Sequence, residues 1–496
     1  EISACLVGSE MCIRDSRYSK SMDKDQEIER LRQENQELKA ALQQAMETIA
    51  QLTQQVQELE ARLAKDSHNS HLPPSSDRFA RQPKSLRKKS TKPSGGQAGH
   101  QGHHLMQVAT ADLSVVQEVS ICEHCQQDLR AQPVDHLIRR QVVDLPVPKV
   151  VVTQYQLECK RCPRCQAMSQ AQAPQGLAAP IQYSASIAAL AVYLSQVQLL
   201  PDGRITQLFT DLFGLPLSTG SIHRWIAQCA EHLVPVEEAI KTALQQVPVL
   251  HQDETGLYQG GKRAWMHVSA TARLTHYGVH AKRGREAMDA IGIAPHFQGI
   301  GVHDGWESYQ GYTYTHALCN VHHLRELTFI EERFGQAWAT RMKELLLDMK
   351  RCCDQARARG QSDLDALVRQ RLIERYQAII EEGYAAHPPD PSPPVPKRGR
   401  RKQHPARCLL NRLHERQEQV LAFLHQLHVP FDNSQAERDI RMVKVQQKVS
   451  GCFRGEQGAP FFCRIRGYVS TMSKQGHALL ALLESAITGH PVFPQF

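Results

Sequence analysis

At 496 residues the chain exceeds one ordinary domain; at ~150 residues each it holds roughly three, with length enough for a sizeable core. No apolar run approaches the ~20 residues that span a bilayer, which excludes a helical membrane protein. The net charge of +8, from 59 Lys+Arg against 51 Asp+Glu, is compatible with a polyanionic partner without demanding one. Fourteen Cys are too few and too uneven for a disulfide scaffold, and the five between 122 and 165 point to a metal.

Residues 1–21 read as neither signal peptide nor helix. The string from Cys5 to Asp15 looks like a translated sequencing adapter, so the native chain is expected to start at Met22. Residues 22–66 carry an unbroken heptad pattern: Ile28, Asn35, Leu42, Ile49, Val56 and Leu63 fall at a, and Leu31, Leu38, Ala45, Leu52 and Leu59 at d. Such a pattern predicts a coiled coil about 54 Å long at ~1.5 Å per residue. β-Branched residues at three a positions, with Leu at most d positions, favour a parallel dimer whose register Asn35 fixes. A single amphipathic helix lying on the body is the alternative. Residues 67–104 are a Pro/Gly/Ser-rich linker with seven basic residues and no acid between Arg78 and Lys92, a strap suited to phosphates.

Residues 105–175 hold Cys122 and Cys125, then Cys159, Cys162 and Cys165. Two Cys-x2-Cys turns joined by β-rich sequence predict a zinc ribbon, because tetrahedral Zn²⁺ takes four thiolates from two tight turns. The expected ligands are Cys122, Cys125, Cys159 and Cys162, with Cys165 as the alternate. Residues 176–245 read as helical. Ile205–Phe213, a Gly214–Leu217 turn and a Ser218-capped Ile222–Leu233 have helix-turn-helix proportions, with Arg224 and Trp225 on the second helix. Plain helical packing remains open there.

The chemistry concentrates in 246–330 and 429–496. Val247–Asp253 reads as a strand ending at Asp253, followed by strands at Ala264–Ala270 and Leu274–His280, a helix at Arg285–Gly292, and a strand at Gly299–His303 running into Asp304. This order matches the ribonuclease-H-like core, in which the first and fourth strands lie adjacent and parallel, each presenting an acid. Two neighbouring carboxylates repel unless a cation sits between them, and hard oxygen ligands suit Mg²⁺. Two such ions ~4 Å apart, or Mn²⁺ in their place, serve phosphodiester chemistry. Glu437 is the expected third acid, on a helix capped by Asn433 or Ser434 and running through Lys448; Asp439 and Glu456 are weaker candidates. Lys444 lies two turns along the same face as Glu437. Arg438, Arg441 and Arg454 join it as candidate DNA contacts, with Arg464 and Arg466 beyond. Residues 331–428 read as a helical insertion closed by a Pro-rich stretch and the basic loop Lys397, Arg398, Arg400, Arg401 and Lys402.

These runs together resemble a known family. From Met22 to Phe496 the chain is similar to transposases of insertion-sequence family 66. The matching runs are His251–Gly256, Val302–Trp306, His316–Glu326 and Asn433–Asp439, with the coiled coil, the Gly95–His100 linker and the Cys pairs. The resemblance implies a DDE transposase in which Asp253, Asp304 and Glu437 match the acidic triad. Asp432 departs from the Thr commoner at that place. Cys319 and His322 resemble a Cys/Asp-x2-His element found after the second acid in several such enzymes. His322 and Glu326, one helical turn apart, could simply pair.

The expected fold class is multidomain α+β: an N-terminal coiled coil, a zinc ribbon, a helical DNA-binding region, and a ribonuclease-H-like α/β core interrupted by a helical insertion. The expected cofactors are two Mg²⁺ (or Mn²⁺) and a structural Zn²⁺. The expected partners are DNA, as element ends and target, a second copy of the chain or a higher assembly, and element-encoded accessory proteins. The expected location is the bacterial cytoplasm, at the nucleoid. Three rivals stay open: a ribonuclease-H-like nuclease or resolvase, a catalytically decayed zinc-ribbon regulator, and a metallohydrolase built on His251, Asp253, His303 and His322.

Overall fold

The computed structural model describes residues 3–66, 68–70, 105–145, 149–174, 176–177, 179–388 and 403–496. Most of the 67–104 linker and the whole Lys397–Lys402 loop lie outside the described residues. The chain divides into two compact units, Glu1–Ser85 with Asn320–Phe431, and Leu86–Cys319 with Asp432–Phe496. Among the described residues no helix is long and apolar enough to cross a membrane.

The first unit is helical. A single helix runs Ser3–Leu63, so the segment before Met22, expected to be non-helical, continues the heptad helix without a break. No Gly or Pro interrupts it after Gly8, and Gly in a helix costs only ~1 kcal/mol. Its apolar stripe faces outward: Leu38, Leu42 and Ile49 are each more than 60% exposed. The rest of the unit is helical, with helices at Asn320–Phe334, Ala337–Ala358, Ala366–Ala386 and Pro405–Glu415; the first of these starts before the expected insertion at 331–428. Trp338, Met342, Leu345, Leu346 and Met349 form its buried spine at helical spacing. Arg333 pairs with Glu60 at 2.7 Å, tying the end of the long helix to the insertion. Glu326 accepts from both Nη atoms of Arg412, at 2.9 and 2.6 Å, because the planar guanidinium fork matches a carboxylate.

The described part of the second unit starts at Leu105 with chain of little regular structure and then a short antiparallel hairpin, β1 (Cys159–Arg161) with β2 (Met168–Gln170). Helices follow at Ala185–Val192, Asp202–Phe213, Thr219–His232 and Val234–Gln245. Gly214 ends the second of these in the left-handed region (φ 61°), and Ser218 accepts from the Ser221 N–H at 3.1 Å to start the third. The expected turn between two helices is present.

A five-stranded mixed sheet comes next: β3 (Val249–Gln259), β4 (Lys262–Ala270), β5 (Thr275–His280), β6 (Ile300–His303) and β7 (Thr315–Leu318), in the order β5-β4-β3-β6-β7. β3, β4 and β5 form an antiparallel meander, while β6 and β7 add in parallel. The first and fourth of the expected strands are therefore neighbours and parallel. Two features differ from expectation. β3 continues six residues past Asp253, because Glu254–Gln259 pairs with Lys262–His267 in the hairpin. β7 is an added fifth strand, short and alternating poorly, that seals β6 on its far side. Helices Ser434–Ser450 and Gly458–Lys474 cover the meander; Ala436, Ile440 and Val443 of the former pack with Leu257, Met266 and Val268.

Candidate active site

Sheet register brings the two strand acids together. The last parallel pair is His251 opposite Val302, so the same register carried two residues further sets Asp253 beside Asp304. Neighbouring strands lie only ~4.8 Å apart. Asp304 leaves the end of β6 into Gly305, whose φ of 86° turns the chain, and its carboxylate accepts from the Trp306 N–H at 2.8 Å. The Asp253 carboxylate accepts from the Glu254 N–H at 2.8 Å. Burial, then the charge of Glu254, then that of Asp304, hold the Asp253 carboxyl well above the usual range, and Glu437 adds to the same push. Asp253 therefore feels both other acids of the expected triad.

Glu437 sits in the first turn of Ser434–Ser450, and Asn433 secures that turn to β3. The Asn433 side chain does not cap the helix, as had been expected of it or Ser434; Asp432 takes the Ser434 N–H at 2.9 Å. Asn433, buried, donates its amide to the Gln252 carbonyl at 2.7 Å, and its oxygen meets His251 Nδ1 at 3.0 Å. Its backbone N–H reaches the Cys319 sulfur at 3.2 Å, and that thiol lies 4.0 Å from Glu437 Oε1. One Asn thus fixes the helix that carries the third acid to the strand that carries the first.

The weaker acid candidates fall away. Asp439 is held by Lys474 at 2.8 Å and Gln435 at 3.0 Å, as an internal tie between the two covering helices. Glu456 is exposed near the β3–β4 hairpin tip. Three of the expected cations are also engaged. Lys444 donates to the Gly256 carbonyl, and burial lowers its proton affinity. Arg464 pairs with Glu237 and donates to the Ala230 carbonyl, and Arg466 is partly buried beside Tyr277. Arg438, Arg441 and Arg454 remain exposed, although Arg438 also donates to Gln435 at 2.8 Å. Trp225 is buried edge-on to Tyr183, so it serves the core of the helical region, whereas Arg224 is exposed.

His303, part of the metallohydrolase alternative, is buried and stacked on Tyr309. One ring nitrogen meets His316 at 3.0 Å and the other accepts from the Gly305 N–H at 3.0 Å. Both ring nitrogens are thus engaged by protein groups, which argues against His303 as a ligand in that alternative.

The cysteine pairs form two matching turns. Cys122 N–H donates to the Gln127 carbonyl, and Gln126, with φ 62°, donates back to Cys122, both at 2.9 Å. Cys162 N–H donates to Ala167, and Gln166, with φ 60°, donates to Cys162, again at 2.9 Å. Backbone hydrogen bonds from the following residues, Cys125 and Cys165 first, lower the proton affinity of Cys122 and Cys162. The second turn therefore runs Cys162–Cys165. Cys165, expected to be spare, occupies the place that Cys125 holds in the first turn, while Cys159 stands on β1. Among the described residues, the thiols of the two turns are not gathered within 4.8 Å of one another.

A family model described as "Transposase IS66 family" matches residues 180–460, more than half of the chain, and includes all three acids. A second, "Family of unknown function (DUF6444)", matches residues 21–106. No curated protein matches the chain. With its strand acids, helix glutamate and matched span in hand, the chain belongs to the IS66 family of transposases.

Proposed function

We propose that this transposase works by a DDE mechanism on a ribonuclease-H-like core, with Asp253, Asp304 and Glu437 as the ligands of two Mg²⁺ ions, or Mn²⁺. The observation that carries the reading is the β3–β6 register, which sets Asp253 beside Asp304 while the field of Glu437 reaches the same carboxyl. Three carboxylates in one half-buried corner repel, and a hard divalent cation is the partner that relieves them. When bound, such ions supply charge stabilisation to the attacking and leaving oxygens of an in-line displacement.

The chain's own groups do the rest. The sheet holds two acids at one level, Asn433 holds the third against them, and the Cys319 thiol lies beside Glu437. Arg438, Arg441 and Arg454, with Lys397, Arg398, Arg400, Arg401 and Lys402, are proposed to contact DNA phosphates, and Lys444 to support β3. The proposed reaction hydrolyses a phosphodiester at an element end, frees a 3′-hydroxyl and joins it to target DNA. The exposed heptad stripe is proposed to pair with a second copy of the chain. A structural Zn²⁺ is assigned to Cys122, Cys125, Cys162 and Cys165, since identical turns offer equivalent ligands; it would add on the order of 10–16 kcal/mol to folding that module. The proposed location is the bacterial nucleoid, and element-encoded accessory proteins are proposed partners.

The test is incubation of the full chain with DNA carrying its gene and flanking sequence. Mg²⁺-dependent 3′-hydroxyl ends that join to a second DNA are expected, and Asp304→Asn should abolish both. Ends that are cut but never joined would point to a nuclease or resolvase. DNA binding that survives Asp304→Asn, with no cutting by either protein, would point to a regulator.

A further inference from the structure

Glu254 has no part in the three-acid scheme, yet its side chain is 1% exposed and adjoins two of the acids. Adjacent residues of a strand point to opposite faces, so Asp253 and Glu254 diverge from one backbone position. One oxygen of Glu254 accepts from Arg283 Nε at 3.0 Å and Nη2 at 2.6 Å. The other accepts from the Tyr309 hydroxyl at 2.6 Å. The Arg283 guanidinium also lies over the Trp306 ring, 4.1 Å from its centroid, and 5.0 Å from that of Trp265. Trp306 is the residue whose N–H holds the Asp304 carboxylate.

One guanidinium therefore touches a side chain of β3 and the loop that follows β6. We propose that Arg283 is a positioning residue: through Glu254 and Trp306 it clamps the Asp304 loop against β3 and so sets the separation of the two strand acids. The role needs Arg. A planar guanidinium donates two N–H groups from its edge to Glu254 while its face lies on an indole, and a Lys ammonium keeps the charge without the face. Tyr309 extends the clamp, stacking on His303 at 4.5 Å while bonding Glu254. Without Arg283 the loop would lose its hold, and Glu254 would stand uncompensated beside Asp253 and Asp304. This inference rests on the DDE reading of those acids.

The test uses the full chain in five forms: Arg283→Gln, Arg283→Lys, Glu254→Gln, the Arg283→Gln/Glu254→Gln double variant, and Asp304→Asn. Mn²⁺ binding is read by electron paramagnetic resonance without DNA, and DNA cleavage is resolved into kcat and KM. Arg283→Gln should weaken Mn²⁺ binding about tenfold and lower kcat at unchanged KM, with Arg283→Lys between it and wild type. The double variant should be no worse than Arg283→Gln, because the two groups act as one. Wild-type Mn²⁺ binding and kcat in Arg283→Gln, a change confined to KM, or losses that multiply in the double variant would overturn the proposal. If Arg283→Gln does not fold, Glu254→Gln and Arg283→Lys decide it, and both should weaken Mn²⁺ binding. Asp304→Asn separates the two failures. Mn²⁺ binding retained there sinks the DDE reading itself, whereas loss there without loss in Arg283→Gln sinks the clamp alone.

Discussion

The acid corner and the paired cysteine turns are both suited to cations, and they are assembled in opposite ways. Sheet register and a buried Asn bring the acids together, and the cost is electrostatic: Asp253 is held in a range where it resists ionisation. Each cysteine turn is complete within six residues, from Cys122 to Gln127 and from Cys162 to Ala167, but the two are separated by 34 residues (128–161), whose described positions are largely exposed, and among the described residues their thiols are not clustered. A hard-cation site of this kind uses the stability of the fold to store repulsion. A thiolate site of this kind uses the metal to create the fold.

Substitutions should break that contrast in different directions. The largest effect is expected in the acid corner: Asp253→Asn or Asp304→Asn should lower DNA cleavage by at least about a thousandfold, while the metal-free protein melts no lower than wild type because a repelling charge is gone. A melting scan without divalent ions, beside a cleavage assay, checks both halves.

Next comes the ribbon. Cys162→Ser or Cys165→Ser should abolish binding of one Zn²⁺ per chain and unfold only the module around the turns, whereas Cys159→Ser should leave zinc content unchanged. Elemental analysis of the purified variants decides between Cys159 and Cys165.

A smaller effect distinguishes stored repulsion from ordinary burial. The Asp253 carboxyl is raised in the folded state, so its contribution to stability is fully present below the unfolded value near ~4 and is lost as pH rises through the folded value. Metal-free wild type should therefore lose stability relative to Asp253→Asn as pH climbs from about 4, and Mg²⁺ should recover it near neutrality. The comparison with Asp253→Asn cancels opposite contributions such as Glu237, whose carboxyl is held down at about 2 by His276 and Arg464 against the pull of burial. Parallel melting curves at every pH would contradict this account.

The smallest expected effect lies on the surface. Arg454→Ala should weaken DNA binding evenly across sequences and reduce the salt slope by about one, as loss of a single phosphate contact does. A titration of binding against salt concentration measures it.

How much of this was legible follows the range of the interactions involved. The strand order was readable because alternating apolar residues and turn signals are local, and the parallel neighbours followed from matching that order to a known core. The extension of β3 was hidden, since Glu254–Gln259 reads as a polar stretch and becomes strand only by pairing with β4. Asn433 looked like a cap because Asn usually is one; its partners, His251 and Gln252, lie about 180 residues away in the chain. Glu254 and Arg283 escaped for the same reason. The likeness of the two cysteine turns could have been read, because Cys122–Gln126 and Cys162–Gln166 share the pattern Cys-x2-Cys-Gln and Cys159 breaks it.

The central claim is that three acids distant in the chain form one divalent-ion site before DNA arrives. Mn²⁺ titration of the full chain, beside Glu437→Gln, tests it most directly. The account predicts saturable Mn²⁺ binding in the wild type that weakens sharply in Glu437→Gln while the fold is kept. Equal binding by the two proteins would contradict it.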